Sequence, residues 1–147
     1  MKRSAARELA MRFCFMLSEN PTDPDELLKD MFEEGHYKSL AQEDSLFEQN
    51  PGGQMEYISR VVRGVGGHSA ELDGYIEKYS VGWDFARISR TALSIMKTAM
   101  FEIMYMPDIP ESVSVNEAVE LAKKYDEAAT VPFINGVLGA FIRGETI

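Results

Sequence analysis

The sequence is poor in the residues that most often build catalytic and metal sites. Its 147 residues include a single cysteine, Cys14, and only two histidines, His36 and His68. One cysteine excludes an intramolecular disulfide, and two histidines far apart in sequence lack the spacing of a metal site. We therefore predict no catalytic residues, no metal, no cofactor and no enzyme activity.

Long hydrophobic runs are also missing. No apolar run approaches the roughly 18 to 20 residues that a membrane-spanning helix needs, and residues 1–13 lack the continuous apolar stretch of a signal peptide. The glycines of residues 64–67 lack the spacing and the Lys-Ser/Thr pair of a phosphate-binding loop. These absences predict a cytoplasmic protein that does not bind membranes.

The charge is distributed unevenly. The net charge is −9, and residues 19–56 account for all of it, with eleven acidic and two basic residues. The first seventeen residues instead carry four bases against one acid: Lys2, Arg3, Arg7, Arg12 and Glu8. An acidic protein as a whole binds nucleic acid poorly, but its basic end can still contact phosphate groups.

Apolar spacing predicts an all-α fold. A chain of this length suits one domain with one core, so we predict a single compact helical domain over residues 1–147 with about six or seven helices. The predicted helices cover residues 3–17, two short stretches within 25–48 separated near Gly35, 55 to about 79, 81–107, 114–125 and 130–144. Glycines near residues 64–67 indicate either close helix packing or a kink.

Residues 114–125, SVNEAVELAKKY, have the pattern of a helix start. Ser114 can accept a hydrogen bond from the backbone of Glu117, whose side chain can reach back to Ser114. We predict this capping box, with Ser112 as a competing cap. Further on, Asn135–Gly136 is typical of a hairpin, but a lone hairpin would have no sheet to join, so we predict a helix there.

The basic cluster at the start of the chain has two interpretations. Composition alone favours the solvated face of an ordinary amphipathic helix. The alternative is a site for single-stranded RNA, in which the cations hold phosphates and an exposed ring stacks on a base, and Phe13 and Phe15 lie nearby in the sequence.

Three stretches of the sequence resemble the motifs of one known protein family. Residues 110–143, PESVSVNEAVELAKKYDEAATVPFINGVLGAFIR, resemble its C-terminal signature, INEA[VI]ELAK followed by F[VI]NGVL. Residues 83–103 are similar to its Trp-containing entry and ILRxAxYEL helix, and residues 6–15 resemble its ARExAxQxLY start. In these motifs the chain resembles the NusB family of bacterial transcription antitermination factors, and the resemblance covers nearly the whole chain except the acidic segment.

The resemblance implies an all-α fold of two three-helix-bundle-like halves and no enzyme activity. It implies binding to the boxA element of nascent RNA together with NusE, a ribosomal protein of the small subunit. The pair would join an antitermination complex on RNA polymerase, notably at ribosomal RNA operons. The competing interpretation is a divergent scaffold that keeps the fold and a protein partner but has weak or no RNA binding, and self-association as a homodimer is left open.

The family's RNA-binding residues correspond to five positions here: Lys2, Arg3, Arg7, Phe15 and Phe133. Phe133 has core packing as an equally weighted alternative. The first helix holds fewer arginines than is usual in the family, and Pro132 stands where a basic residue often precedes the motif phenylalanine. Because fewer cations make fewer phosphate contacts, we expect low RNA affinity without the ribosomal partner.

Overall fold

The computed structural model describes residues 1–145, and all regular structure in that part of the chain is helical. It contains eight α-helices: α1 (Arg3–Glu19), α2 (Pro24–Met31), α3 (Glu34–Leu40), α4 (Met55–Gly67), α5 (Ser69–Tyr79), α6 (Arg90–Tyr105), α7 (Glu111–Tyr125) and α8 (Thr130–Glu145). Short 3₁₀ turns cover Ser45–Glu48, Gly52–Gln54 and Phe85–Arg87. The all-α prediction is confirmed, with eight helices instead of six or seven. None of the helices within these 145 residues is long and apolar enough to cross a membrane.

The chain divides into two compact units, Met1–Gly66 and the part that begins at Gly67. Four α-helices, α1 to α4, belong to the first unit, and α5 to α8 form the second apart from a residue at the boundary. The family resemblance implied three-helix halves, so each unit holds one helix more than expected. The single domain over residues 1–147 stays a prediction.

The first unit is organised around the apolar face of α1. Helical spacing places Leu9, Ala10 and Phe13 on this face, and all three are buried. The ring of Phe13 meets that of Phe32 nearly edge-on, with the centroids 5.6 Å apart. The aromatic contact joins α1 to Phe32, the residue directly after α2.

The break between α2 and α3 lies at residues 32–33 and not at Gly35. The carboxylate of Glu33 accepts hydrogen bonds from the backbone nitrogens of Gly35 and His36, at 3.1 and 2.9 Å, and so caps α3. The same two hydrogen bonds lower the pKa of Glu33, and the bond from the His36 nitrogen has the larger effect. Gly35 therefore sits in the first turn of α3, because the acidic cap begins the helix before it.

The helix predicted from residue 55 to about 79 is two helices, with His68 between them. Gly66 and Gly67 end α4. A Cβ atom on Gly66 would come within 3.0 Å of the Pro24 side chain. Close packing against the start of α2 therefore explains Gly66, and the chain breaks directly after Gly67.

The second unit is built on α6, whose buried face is broad. The buried apolar residues of this helix are Ala92, Ile95, Met96, Ala99, Met100, Phe101 and Ile103. The helix begins at Arg90 because the hydroxyl of Ser89 accepts a hydrogen bond from the Ala92 nitrogen at 3.0 Å. The observed helix α6 is therefore shorter than the helix predicted over residues 81–107. Helix α8 confirms the helix predicted over residues 130–144.

The capping box predicted at Ser114 and Glu117 is wrong. Helix α7 begins at Glu111, directly after Pro110, so both Ser112 and Ser114 lie inside the helix. Ser114 is 1% exposed, and its hydroxyl donates a 2.8 Å hydrogen bond to the carboxylate of Glu102 on α6, which is itself 0% exposed. Ser114 therefore joins two helices instead of starting one.

Candidate RNA interface

Two of the cations that the sequence predicts to bind RNA are exposed at the N-terminal end of α1. Lys2 is the residue before the helix and Arg3 is its first residue. The first turn of α1 carries no acidic side chain. Because the N-terminal end of a helix carries partial positive charge, the helix and these two side chains together favour an anionic ligand. We call Lys2, Arg3 and Arg7 the basic tip.

Arg3 is held in place by α4 and the turn before it. Its Nε donates a 2.7 Å hydrogen bond to the amide oxygen of Gln54. Its guanidinium carbon lies 4.2 Å from the centroid of the Tyr57 ring, a cation–π distance. A guanidinium has five N–H donors, so the bond to Gln54 leaves others for a phosphate. The arginine is therefore oriented before any ligand arrives.

Arg7 lies one helical turn from Arg3 but is only 3% exposed. Its guanidinium carbon is 5.7 Å from the centroid of the same Tyr57 ring. The positive charge of Arg7 adds to the potential of the basic tip, but its side chain offers little surface for direct contact. The phosphate contact predicted for Arg7 stays a prediction.

Phe15 and Arg12 do not join the basic tip. Phe15 is half-buried and follows Arg3 by twelve residues, which corresponds to about 18 Å along the helix axis. Arg12 forms an ion pair with Asp44, and its guanidinium carbon lies 5.2 Å from the Phe47 ring centroid. Its charge is therefore compensated within the first unit.

Phe133 lies in the second unit, in the first turn of α8, and is half-buried. Its ring centroid is 4.6 Å from that of Trp83, with the two planes inclined by 51°. Trp83 is 59% exposed, and its neighbour Val81 is 87% exposed. We call Val81, Trp83 and Phe133 the aromatic patch. Sequence reasoning did not assign Trp83 a role, although it is the only tryptophan in the chain.

Trp83 is presented by a tight turn after α5. Gly82 has a φ of +83°, in the left-handed region that favours glycine. The backbone nitrogen of Trp83 donates a 3.0 Å hydrogen bond to the carbonyl of Ser80. The exposed indole thus depends on a backbone conformation that other residues rarely adopt.

The substitution Gly82→Ala is expected to lower the free energy of unfolding by about 1 to 2 kcal/mol, because alanine is strained at this φ. Urea denaturation followed by circular dichroism measures the change. Gly74→Ala is the matched control, since Gly74 lies inside α5 and a Cβ atom there would meet no neighbouring side chain within 4 Å. There we expect a gain of about 0.5 to 1 kcal/mol. Equal effects at the two glycines would contradict the argument.

The side chains capable of nucleophilic or metal chemistry lie apart. No group of three or more His, Cys, Asp or Glu residues within residues 1–145 is placed to hold a metal ion. Cys14 is buried on α1. His36 and His68 make local hydrogen bonds, to the Asp30 carbonyl at 3.0 Å and to the Glu71 carboxylate at 2.9 Å.

Comparison with known proteins gives consistent matches over nearly the full length. The family model described as "NusB family" matches residues 4–143. The chain is 41% identical over 145 residues to the transcription antitermination protein NusB of Ruminiclostridium cellulolyticum, covering 99% of this chain and 91% of that protein. It is also 41% identical over 143 residues to the NusB of Acetivibrio thermocellus, covering 97% and 90% respectively.

Solved structures show the same fold. A NusB structure from T. maritima superimposes with a TM-score of 0.79 at 22% identity, over 100% of this chain and 94% of that chain. A structure of the antitermination factors NusB and NusE in complex with double-stranded RNA contains a chain that matches with a TM-score of 0.77 at 23% identity, over 96% of each. At these identities the structural likeness establishes the arrangement of helices.

Proposed function

Because the chain belongs to the NusB family, we propose that it is a transcription antitermination factor. It binds boxA-type RNA together with the ribosomal protein NusE of the small subunit. The pair joins an RNA polymerase complex that suppresses termination, notably at ribosomal RNA operons. The protein acts in the cytoplasm and without catalysis. The observation that carries the proposal is the family match over residues 4–143.

The basic tip supplies the phosphate contacts in this proposal. Lys2 and Arg3 are exposed and make these contacts directly, because both are accessible and lie at the positive end of α1. Arg7 acts through its charge and through its packing near Tyr57, since only 3% of it is exposed. Phosphate contacts of this kind give affinity and orientation but carry no sequence information.

The aromatic patch supplies a stacking surface for a base. Unpaired RNA bases stack on aromatic side chains, and each such contact contributes about 1 to 3 kcal/mol. Phe133 is half-buried and offers one ring, and the exposed Trp83 offers a second beside it. Phe15 is assigned a secondary role, because it is half-buried about 18 Å from Arg3 along α1.

The ribosomal partner makes up for the small number of cations. The chain carries a net charge of −9 and exposes only two cations at the basic tip. RNA affinity falls as fewer phosphates are neutralised. Binding by this chain alone is therefore weak, and NusE raises it by adding contacts and by ordering the RNA.

The test is fluorescence anisotropy of a labelled boxA-type RNA and of a scrambled RNA of equal composition. Each is titrated with this protein alone, with NusE alone and with both, over a salt series. The proposal expects selective binding of boxA that NusE strengthens. Absence of selective binding even with NusE present would favour the alternative, in which the protein is a protein-interaction scaffold. Recovery of protein partners that survive RNase treatment would then support that alternative.

Trp83 is expected to sense the bound RNA. Incorporating 5-fluorotryptophan places one ¹⁹F label in the protein, because the chain has a single tryptophan. Adding boxA-type RNA to the complex with NusE is expected to shift this resonance. The substitution Trp83→Leu is expected to weaken RNA binding by about 5- to 150-fold, which corresponds to the loss of one stacked base.

The matched control is Phe85→Leu, which removes a half-buried ring from the same loop. We expect this variant to change RNA affinity by less than about threefold. An unchanged ¹⁹F resonance in the presence of saturating RNA would show that the aromatic patch is not part of the RNA interface.

A further inference from the structure

A pocket of about 430 Å³ opens in the first unit, between α3 and the start of α4. Its volume lies within the range of about 300 to 1,000 Å³ typical of ligand sites. Aromatic rings, two carboxylates and the loop of residues 49–52 form its lining. None of the residues predicted to bind RNA belongs to that lining.

Three aromatic side chains form the inner wall of this pocket. Phe32 and Tyr37 have ring centroids 5.7 Å apart, with planes inclined by 34°. Tyr37 and Phe47 are 5.3 Å apart and inclined by 66°. Phe32 is half-buried, whereas Tyr37 and Phe47 are 8% and 6% exposed. Because the faces of aromatic rings carry negative potential, a wall of aromatic rings suits a positively charged group.

The wall is fixed by hydrogen bonds. The hydroxyl of Tyr37 donates to the carbonyl of Gln49 at 2.8 Å, which ties the loop to α3. The side chain of Asn50 accepts from the Gly52 nitrogen at 2.9 Å, and its carbonyl accepts from the Met1 amine at 3.0 Å. A site held in this way costs little ordering when a ligand binds.

The charge at the mouth is negative. Glu34 and Glu48 both line the pocket and are exposed. Lys38 also lines it and forms a 2.9 Å ion pair with Glu34, so these two charges offset each other and Glu48 carries the net negative charge of the mouth. The surrounding residues 19–56 carry a net charge of −9. This field attracts cations and opposes RNA phosphates.

The same aromatic cluster already holds a cation from this chain. The guanidinium of Arg12 lies 5.2 Å from the Phe47 ring centroid and forms an ion pair with Asp44. A ring face combined with a carboxylate is therefore an arrangement that binds arginine in this unit. The lining of the pocket combines the same kinds of group, the half-buried Phe32 and the buried Tyr37 with the exposed Glu34 and Glu48.

We propose that this pocket binds an arginine side chain in a basic segment of a partner protein. The guanidinium stacks against the aromatic wall, and Glu48 and Glu34 accept its N–H groups at the mouth. Arginine suits the site better than lysine, because its planar group both stacks on rings and donates to carboxylates. The proposal is independent of RNA binding, since it uses neither the basic tip nor the aromatic patch.

The probe is a fluorescein-labelled peptide, Gly-Ser-Arg-Leu-Arg-Ser-Gly, titrated with the full chain in an anisotropy assay. The matched probe replaces both arginines with citrulline, which keeps the shape and removes the charge. We expect saturable binding of the arginine peptide and at least about tenfold weaker binding of the citrulline peptide. Adding boxA-type RNA at saturation is expected to leave the arginine peptide bound.

Matched variants locate the binding. The double substitution Glu34→Gln/Glu48→Gln is expected to weaken arginine-peptide binding by about tenfold. Phe32→Leu keeps an apolar residue, removes one ring and is expected to weaken it about threefold. The control Glu43→Gln/Glu56→Gln changes the charge equally at exposed acids outside the pocket, and we expect less than a twofold effect.

Three results would overturn the proposal. Equal binding of the citrulline peptide would show that the pocket does not recognise the cation. Equal losses in the pocket and control double variants would assign the binding to the diffuse charge of residues 19–56. Displacement of the peptide by RNA would make the pocket part of a nucleic-acid surface. Each result is read from peptide binding, so failure of boxA recognition would leave the test intact.

Discussion

The substitution Glu102→Ala is expected to lower the free energy of unfolding by about 3 to 5 kcal/mol. Glu102 is fully buried on α6, and its carboxylate accepts the hydroxyl of Ser114 on α7 at 2.8 Å. Alanine would leave a cavity and would deprive a buried hydroxyl of its acceptor. Urea denaturation followed by circular dichroism measures the loss, with the exposed Glu120→Ala on α7 as a control expected within about 0.5 kcal/mol.

The two serines of α7 provide a sharper test of this contact. Ser114→Ala is expected to cost about 1.5 to 3 kcal/mol, because it removes a donor from a buried carboxylate. Ser112→Ala changes an exposed residue two positions earlier and is expected to cost less than about 0.5 kcal/mol. Equal costs at the two serines would contradict the role of Ser114 in joining α6 to α7.

The double substitution Lys2→Ala/Arg3→Ala is expected to weaken binding of boxA-type RNA by about 10- to 100-fold in the presence of NusE. Both side chains are exposed at the start of α1 and make direct phosphate contacts in the proposed function. Loss of two contacts to single-stranded RNA should also reduce the slope of log K against log salt by about 1.4. Anisotropy over a salt series measures both quantities.

A matched control separates local contacts from net charge. Lys29→Ala/Arg63→Ala removes two exposed cations from the same unit, on α2 and α4, and is expected to change RNA affinity by less than about threefold. Equal losses in the two double variants would assign the effect to net charge and would contradict a role for the basic tip. Arg7→Ala is a poorer probe, because Arg7 is buried and its loss would also destabilise the unit.

The helices could be predicted from the sequence wherever an apolar face repeats at helical spacing. The predicted helix over residues 3–17 corresponds to α1, and that over residues 130–144 corresponds to α8. Their ends were less predictable, because several residues near each end can cap a helix. Glu33 begins α3 ahead of Gly35, and α7 begins directly after Pro110 instead of at Ser114.

The candidate site was predictable in part. The sequence located cations at the start of the chain and, through the family resemblance, Phe133. It did not show that Arg7 is buried or that Arg12 is paired with Asp44, thirty-two residues away. It also did not reveal the contact between Trp83 and Phe133, which lie fifty residues apart in the chain.

The sequence by itself determined the all-α fold class, the family and the separation of a basic start from an acidic segment. These properties depend on spacing within a few residues, on motifs read along the chain and on simple charge counts. Only the tertiary structure decided which cations are exposed, why Ser114 is buried, and which rings line the pocket. Burial, ion pairing and ring contacts join residues distant in sequence, so local patterns do not specify them.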